Sequence, residues 1–268
     1  MTKHPARMAE AEAEYVRNVT ELRERTRAAL RSPISPLAAI SRHSLTFGRP
    51  VRIAPDESAD IRLPHLDRAV VVTATRDGFV VDGTARAPGI VEAGRYGIRL
   101  SHQNYPSVVI LDRESPRLRE RVELRWYPVD PSFRLHGALE PDGARQTIAS
   151  TASGERPAER VGWARLVIGG IACRLAVLRM LEPGFAPGHM DVYFRDATTG
   201  RDSYEVGRYV TVRLDGDGLL VDFNLAYNPS CALSPYYNCP LPPRENHLLM
   251  PIRAGEMTPL VKTGAAPV

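Results

Sequence analysis

Tyr204-Glu-Val-Gly-Arg-Tyr-Val-Thr-Val-Arg-Leu214, Asp215-Gly-Asp-Gly218 and Leu219-Leu-Val-Asp-Phe-Asn-Leu-Ala-Tyr227 follow one another without a break. Two strand-like runs flank a pair of Asp-Gly steps, and glycine accepts the positive φ that a tight hairpin requires. The stretch therefore reads as an antiparallel hairpin with Leu214 opposite Leu219. Continuing that register pairs Val212 with Val221, Val210 with Phe223, Arg208 with Leu225 and Val206 with Tyr227. Side chains alternate along a strand, so this set shares one face, apolar except for Arg208. The opposite face pairs Thr211 with Asp222, Tyr209 with Asn224, Gly207 with Ala226 and Glu205 with Asn228. An ordinary wet face is one reading of it. Asp and Asn are poor strand formers, however, and two of them at alternate positions point to fixed hydrogen bonding.

Arg208 on the apolar face needs its own account. A guanidinium cannot shed its charge in a core, so it requires a carboxylate, carbonyl oxygens or a bound anion. Asp191, Asp196 and Glu256 are candidate partners for a structural ion pair, and anion binding is the alternative. The hairpin leads into Asn228-Pro-Ser-Cys231, then Pro235-Tyr-Tyr237, then Cys239-Pro-Leu-Pro-Pro-Arg-Glu-Asn246. Long loops without regular structure are uncommon, and the prolines and tyrosines here make this one stiff. It reads as a cover over the hairpin. Cys231 and Cys239 stand eight apart, outside the usual zinc spacing. Packed thiols are the leading reading; a disulfide, a metal pair and a nucleophile are the others.

Outward from the hairpin, strand-like segments recur through most of the chain. Leu45–Ile53, Ile61–Leu63, Ala69–Ala74, Gly78–Val81, Ile90–Val91, Tyr96–Leu100, Val108–Leu111, Val122–Tyr127 and Arg134–Leu139 come first. Trp163–Ile168, Ile171–Leu178, Met190–Arg195 and Leu248–Ile252 join the hairpin in the second half. Their close spacing suggests sandwiches or barrels. Pro128–Pro131 and the polar Glu140–Pro157 read as boundaries. The one convincing helix is Ala6–Leu30, with Met8, Tyr15, Leu22 and Ala29 at seven-residue intervals, widened by Val16 and Val19. Its stripe packs on its own domain or on a second copy in a homodimer. The expected fold is mostly β: an N-terminal helix (1–34), a β-sandwich (35–139), then a second antiparallel β-sandwich or barrel-like domain (140–268).

The 268 residues include 35 basic and 31 acidic side chains, a net charge of +4. Only Lys3 and Lys262 are lysines. The arginines are scattered among acids, so the Arg excess fits a GC-rich coding bias better than phosphate recognition, and no nucleic-acid footprint is seen. No apolar run reaches the roughly 20 residues of a membrane span, and the charged N-terminus is unlike a signal peptide. No membrane partner and a cytoplasmic location are the expectations. Three cysteines do not make a disulfide scaffold.

Five ordered blocks carry a resemblance. Asp196-Ala-Thr-Thr-Gly200, Tyr204-Glu-Val-Gly-Arg-Tyr209, Asp222-Phe-Asn-Leu-Ala-Tyr-Asn-Pro-Ser-Cys231, Cys239-Pro-Leu-Pro-Pro-Arg-Glu-Asn246 and Ala254-Gly255-Glu256 resemble the bacterial family known as domain of unknown function 1684. Ile98-Arg99-Leu100 and Trp126-Tyr-Pro-Val-Asp-Pro131 extend the likeness upstream, while Ser230 replaces the family's usual Pro. The resemblance implies a fold and a focus, and no reaction. Phe47-Gly48-Arg49 with Asp60-Ile61-Arg62-Leu63 resembles the opening of a forkhead-associated domain, a sandwich that binds phosphothreonine. The Ser-x-x-His element of that family is missing, since Asp67-Arg68 runs straight into Ala69. That likeness implies the sandwich, not the phosphopeptide site.

The functional expectation is a small-molecule enzyme or ligand-binding protein without cofactor or metal. Its site would lie between the polar hairpin face and the proline-rich cover. Asp222 or Glu205 is the candidate base and Tyr209 or Tyr227 the candidate acid. Asn224, Asn228 and Asn246 would orient a ligand, Arg208 would hold an anionic group, and Cys231 and Cys239 would border the site. The alternatives are an interaction module built on the helix and sandwich, or motif residues with a purely structural role.

Overall fold

The computed structural model describes residues 5–152 and 154–262. Helix α1 (Pro5–Ala29) lies against the rest of the molecule through Val19 and the half-buried Tyr15, Val16 and Arg23. The expected stripe packs in part: Tyr15, Val16 and Val19 turn inward, while Met8 and Leu22 stay 60% and 43% exposed. Polar contacts add to this face. Tyr15 bonds to Asp222, and Arg23 donates to the carbonyls of Tyr127 (2.9 Å) and Asn224 (3.3 Å).

The first β unit uses β1 (Ala39–Ser44), β2 (Pro50–Ala54), β3 (Ile61–Arg62), β4 (Val70–Ala74), β5 (Phe79–Val81), β6 (Thr84–Arg86), β7 (Gly89–Ala93), β8 (Tyr96–Ser101) and β9 (Ser107–Asp112). They form two sheets, ordered β1-β9-β8-β7 and β3-β2-β4-β5-β6. Ile53, Val70 and Val72 of one sheet share a core with Ile98, Val108 and Ile110 of the other. This is the expected sandwich. Leu45–Ile53 is not one strand: chain reversal at Phe47–Arg49, with Gly48 at φ +73°, separates β1 from β2. A short ribbon of β10 (Arg121–Glu123) and β17 (Leu260–Lys262) follows.

The second unit is a closed six-stranded barrel of β11 (Arg134–Ala149), β12 (Glu155–Ile168), β13 (Ile171–Met180), β14 (Asp191–Phe194), β15 (Arg208–Asp215) and β16 (Gly218–Asp222). Closure removes the exposed edges that an open antiparallel sheet would leave. Leu166, Leu175, Val177, Val192, Val210, Val212 and Val221 fill one core. The alternate positions Ala176, Leu178, Tyr193 and Tyr209 form a second apolar layer, on which the 228–246 loop rests.

The Glu140–Pro157 segment, expected as a boundary, is instead the inner part of the long β11–β12 hairpin. Pro141-Asp142-Gly143 looks like a strand breaker in the sequence, but the register shifts between Pro141 and Ala144 and the pairing resumes. A β-bulge sets Asp142 and Gly143 against the single residue Val161. Leu248–Ile252 is irregular chain rather than a strand. No helix among the described residues is long and apolar enough to cross a membrane.

Candidate functional site

The hairpin keeps its expected register only part of the way. Leu214 pairs with Leu219 and Val212 with Val221, and β16 then ends at Asp222. The Asp222 carboxylate accepts from the Asn224 backbone N–H at 3.1 Å, and residues 223–225 wind into a single 3-10 turn. Such a local side-chain bond offers the backbone an alternative to the ladder. The turn inserts extra chain, so Tyr209 meets Tyr227 and not Asn224; their N–H and C=O groups exchange two bonds of 2.9 Å.

This breaks up the expected face. Asp222 accepts from the Tyr15 hydroxyl of α1. Asn224 is buried and clamps the Asp130 backbone, accepting from its N–H at 2.9 Å and donating to its carbonyl at 2.8 Å. Glu205 is exposed. Tyr209 donates to the Pro240 carbonyl of the proline-rich loop at 2.5 Å and stacks edge-on with Tyr193 and Tyr227. Asn246 pins the same loop down: its side chain accepts from Ala176 N–H (2.7 Å) and donates to the carbonyls of Ala176 and Tyr193 (2.9 Å each). The loop is thus a cover, as expected, but Tyr209 and Asn246 bond to protein there rather than to an open space.

Arg208 is fully buried inside the barrel end. It donates to the carbonyls of Ile252 (2.8 Å), Ala254 and Glu256 (3.1 Å), and pairs with Asp196 at 3.4 Å. Arg208 is thus paired within the protein, with Asp196 as the carboxylate partner. Cys231 and Cys239 are free thiols in contact with one another. The Cys231 N–H points at Cys239 Sγ (3.4 Å) and the Tyr204 hydroxyl at Cys231 Sγ (3.9 Å). The bond between the two thiols lowers the pKa of Cys231 and pushes that of Cys239 well above the ordinary thiol value. Among the described residues, no three His, Cys, Asp or Glu side chains are placed to hold a metal.

Open space lies instead beneath α1. A cavity of about 560 Å³ is walled by Leu22, Leu30, Ile34, Leu124, Trp126 and Leu233, with Asn224, Tyr227 and Asn228 from the motif block at one side. Its volume is that of a small-molecule site. Arg23, Ser35, Asn228 and Glu256 supply the polar lining. Asn228 is held by its N–H to Glu256 Oε2 (2.8 Å) and its Nδ2 to the Met257 carbonyl (2.8 Å). Its Oδ1, the Ser35 hydroxyl and Arg23 Nε are buried without a partner. Buried polar atoms are rarely left so.

Among the described residues, Glu256 is the one carboxyl group that lines this cavity. Burial raises its carboxyl pKa to about 7, against the lowering effects of the Asn228 N–H, Arg208 and Arg23. Gly255 places it: at φ +75°, a Cβ there would sit 2.6 Å from the carbonyl oxygens of both Phe223 and Ala226. The expected acids fare differently. Burial holds the phenols of Tyr209 and Tyr227 above their ordinary pKa, which makes them weaker proton donors. Of the candidates read from the sequence, Asn224, Tyr227 and Asn228 line this cavity; Arg23, Ser35, Trp126 and Glu256 line it too and were not among the site candidates. The Ala254-Gly255-Glu256 block was the available signal for the last of these.

The family described as "Protein of unknown function (DUF1684)" matches residues 121–257. The chain belongs to that family. In this DUF1684 chain the matched segment holds Trp126, Tyr227, Asn228 and Glu256, whereas Arg23 and Ser35 precede it. A solution NMR structure of an uncharacterized protein from gene locus rrnAC0354 of Haloarcula marismortui is 32% identical. The likeness covers 50% of the DUF1684 chain and 76% of the other, with a TM-score of 0.42. No curated protein matches the chain.

Proposed function

We propose that the cavity beneath α1 binds a small molecule with an apolar body and an uncharged polar head, such as a hydroxyl or carboxamide. One observation carries this reading: Asn228 Oδ1 and the Ser35 hydroxyl are buried and unpartnered in a cavity whose walls are otherwise mainly apolar. A ligand donating to Asn228 Oδ1 and accepting from Ser35 or Arg23 Nε would satisfy them, and its body would lie against Leu22, Leu30 and Trp126. Glu256, poised near neutrality, is the group able to take or give a proton there, so the chemistry it would supply is acid–base.

The test is a fluorescence titration of the full chain with 2-naphthol, whose fused ring and single hydroxyl match this description. Binding should saturate below about 1 mM. The double variant Thr26→Trp/Ala29→Trp, which fills the cavity from α1, should abolish it. Non-saturating binding, or binding untouched by the filled cavity, defeats the proposal.

A second reading, self-association through the exposed part of α1, draws support from the 60% exposure of Met8. Sedimentation velocity of Met8→Glu beside the parent chain tests it: a dimer that becomes a monomer supports it, and an unchanged monomer ends it.

A further inference from the structure

A second cavity, of about 330 Å³, lies where three parts of the chain meet. Arg99, Ser101, His102 and Gln103 come from β8 and the turn after it, Phe185 from the β13–β14 connection, and Tyr237 from the proline-rich loop. Tyr237 is 7% exposed, and its hydroxyl finds no acceptor for its own proton. Its ring lies against the Arg99 guanidinium, with Cζ 5.9 Å from the ring centre, and Arg99 Nε is likewise buried and unpartnered. Arg99 Nη2 donates to the Ile34 carbonyl at 3.2 Å, and the guanidinium also hydrogen-bonds the Tyr237 hydroxyl, which works against the rise that burial gives that phenol's pKa. A partly exposed guanidinium and a buried hydroxyl thus stand side by side at the cavity wall, bonded to one another and each with donor capacity left over.

The other polar residues do not answer them. His102 Nε2 lies 2.9 Å from the Gly78 carbonyl, which only accepts, so the Nε2 proton is already engaged. None of the lining residues is Asp or Glu. The nearest carboxylate in sequence, Glu182, is taken by Arg156 and by the Asn104 N–H. Buried donors with a fixed charge and no acid in reach are the chemistry of an oxyanion site.

We propose that this cavity binds a small oxyanion, with Arg99 as the charged contact and the Tyr237 hydroxyl as the second donor. Carboxylates and phosphates share that chemistry, and the volume admits a single ring or a short chain beside the charged group. The site is separate from the cavity beneath α1, with which it shares only Pro36 and Ser230 in its walls.

The experiment is a titration of ¹⁵N-labelled full chain, followed by NMR, with sodium benzoate in one arm and inorganic phosphate in the other. Saturable shifts at the amides of Ser101–Gln103 and Tyr237 below about 10 mM are expected in at least one arm, and the responding arm names the source. Arg99→Gln should weaken binding about tenfold, and Tyr237→Phe, which removes a single oxygen and is mild enough to fold, about threefold. Thr26→Trp/Ala29→Trp should leave it unchanged, which separates this site from the one beneath α1. Shifts that saturate in neither arm, equal binding in Tyr237→Phe, or loss of binding in the double Trp variant would each overturn the assignment.

Discussion

The Tyr15 hydroxyl lies 2.9 Å from both carboxylate oxygens of Asp222. It joins the middle of α1 to the last residue of β16, next to the turn that lines the cavity. Together with buried Val19 and the two Arg23 bonds it holds the helix down, so it contributes to how firmly the cavity is roofed. Tyr15→Phe keeps the ring beneath Arg134, whose Cζ is 5.1 Å from its centre, and removes only the bond. The variant should lose roughly 1–2 kcal/mol in urea unfolding, and amide exchange should quicken over residues 15–30. Unaltered exchange there would mean that the helix is held by other contacts.

Glu256 gives the fold a pH dependence of definite sign. Its folded pKa of about 7 lies above the ordinary carboxyl value of 4.5, so the folded state binds the proton more tightly. Its term is therefore neutral below about pH 4.5 and grows increasingly unfavourable as pH rises to about 7, by on the order of 3 kcal/mol. Glu256→Gln keeps an oxygen for the Asn228 N–H and removes the charge. Urea midpoints at pH 5 and pH 8 should draw together in the variant, with the gain at pH 8. An unchanged difference between the two pH values would show that Glu256 titrates normally.

Asn246 fastens the proline-rich loop to the barrel through one amide group and three bonds. Asn246→Ala leaves the N–H and C=O of Ala176 without partners in a buried place. A loss of at least about 3 kcal/mol is expected, together with faster proteolysis between residues 228 and 246. A loss below 1 kcal/mol would mean that water replaces the amide and the loop is not held as described.

Gly207 marks the close approach of β15, β14 and the loop. It has φ +114°, and a Cβ there would lie 2.6 Å from the Phe194 carbonyl oxygen and 2.8 Å from Pro242 Cγ. Gly207→Ala should cost more than about 2 kcal/mol in thermal or urea unfolding. A neutral substitution would show that the loop can lift away from the barrel.

What the sequence disclosed was local. Alternation in Val210, Val212 and Val221 fixed the buried face of the hairpin, and Asp215–Gly218 fixed its turn. The reading failed at Asp222, whose side chain bonds the Asn224 backbone N–H and shifts everything beyond it. It failed again at Pro141–Gly143, since a bulge within a strand and a turn between strands use the same residue types. The stiff loop was legible from its prolines and tyrosines, but what lies beneath it was not. The cavity could not be read at all as a unit, because Arg23, Ser35, Trp126, Asn228 and Glu256 meet only in three dimensions.

The central claim, that the space beneath α1 receives a ligand, is tested most directly by a crystal structure of the full chain grown with saturating 2-naphthol. The account predicts the fused ring against Trp126 and Leu30, and its hydroxyl within about 3 Å of Asn228 Oδ1. A cavity that holds only solvent at that concentration, or a probe seated elsewhere on the protein, would contradict it.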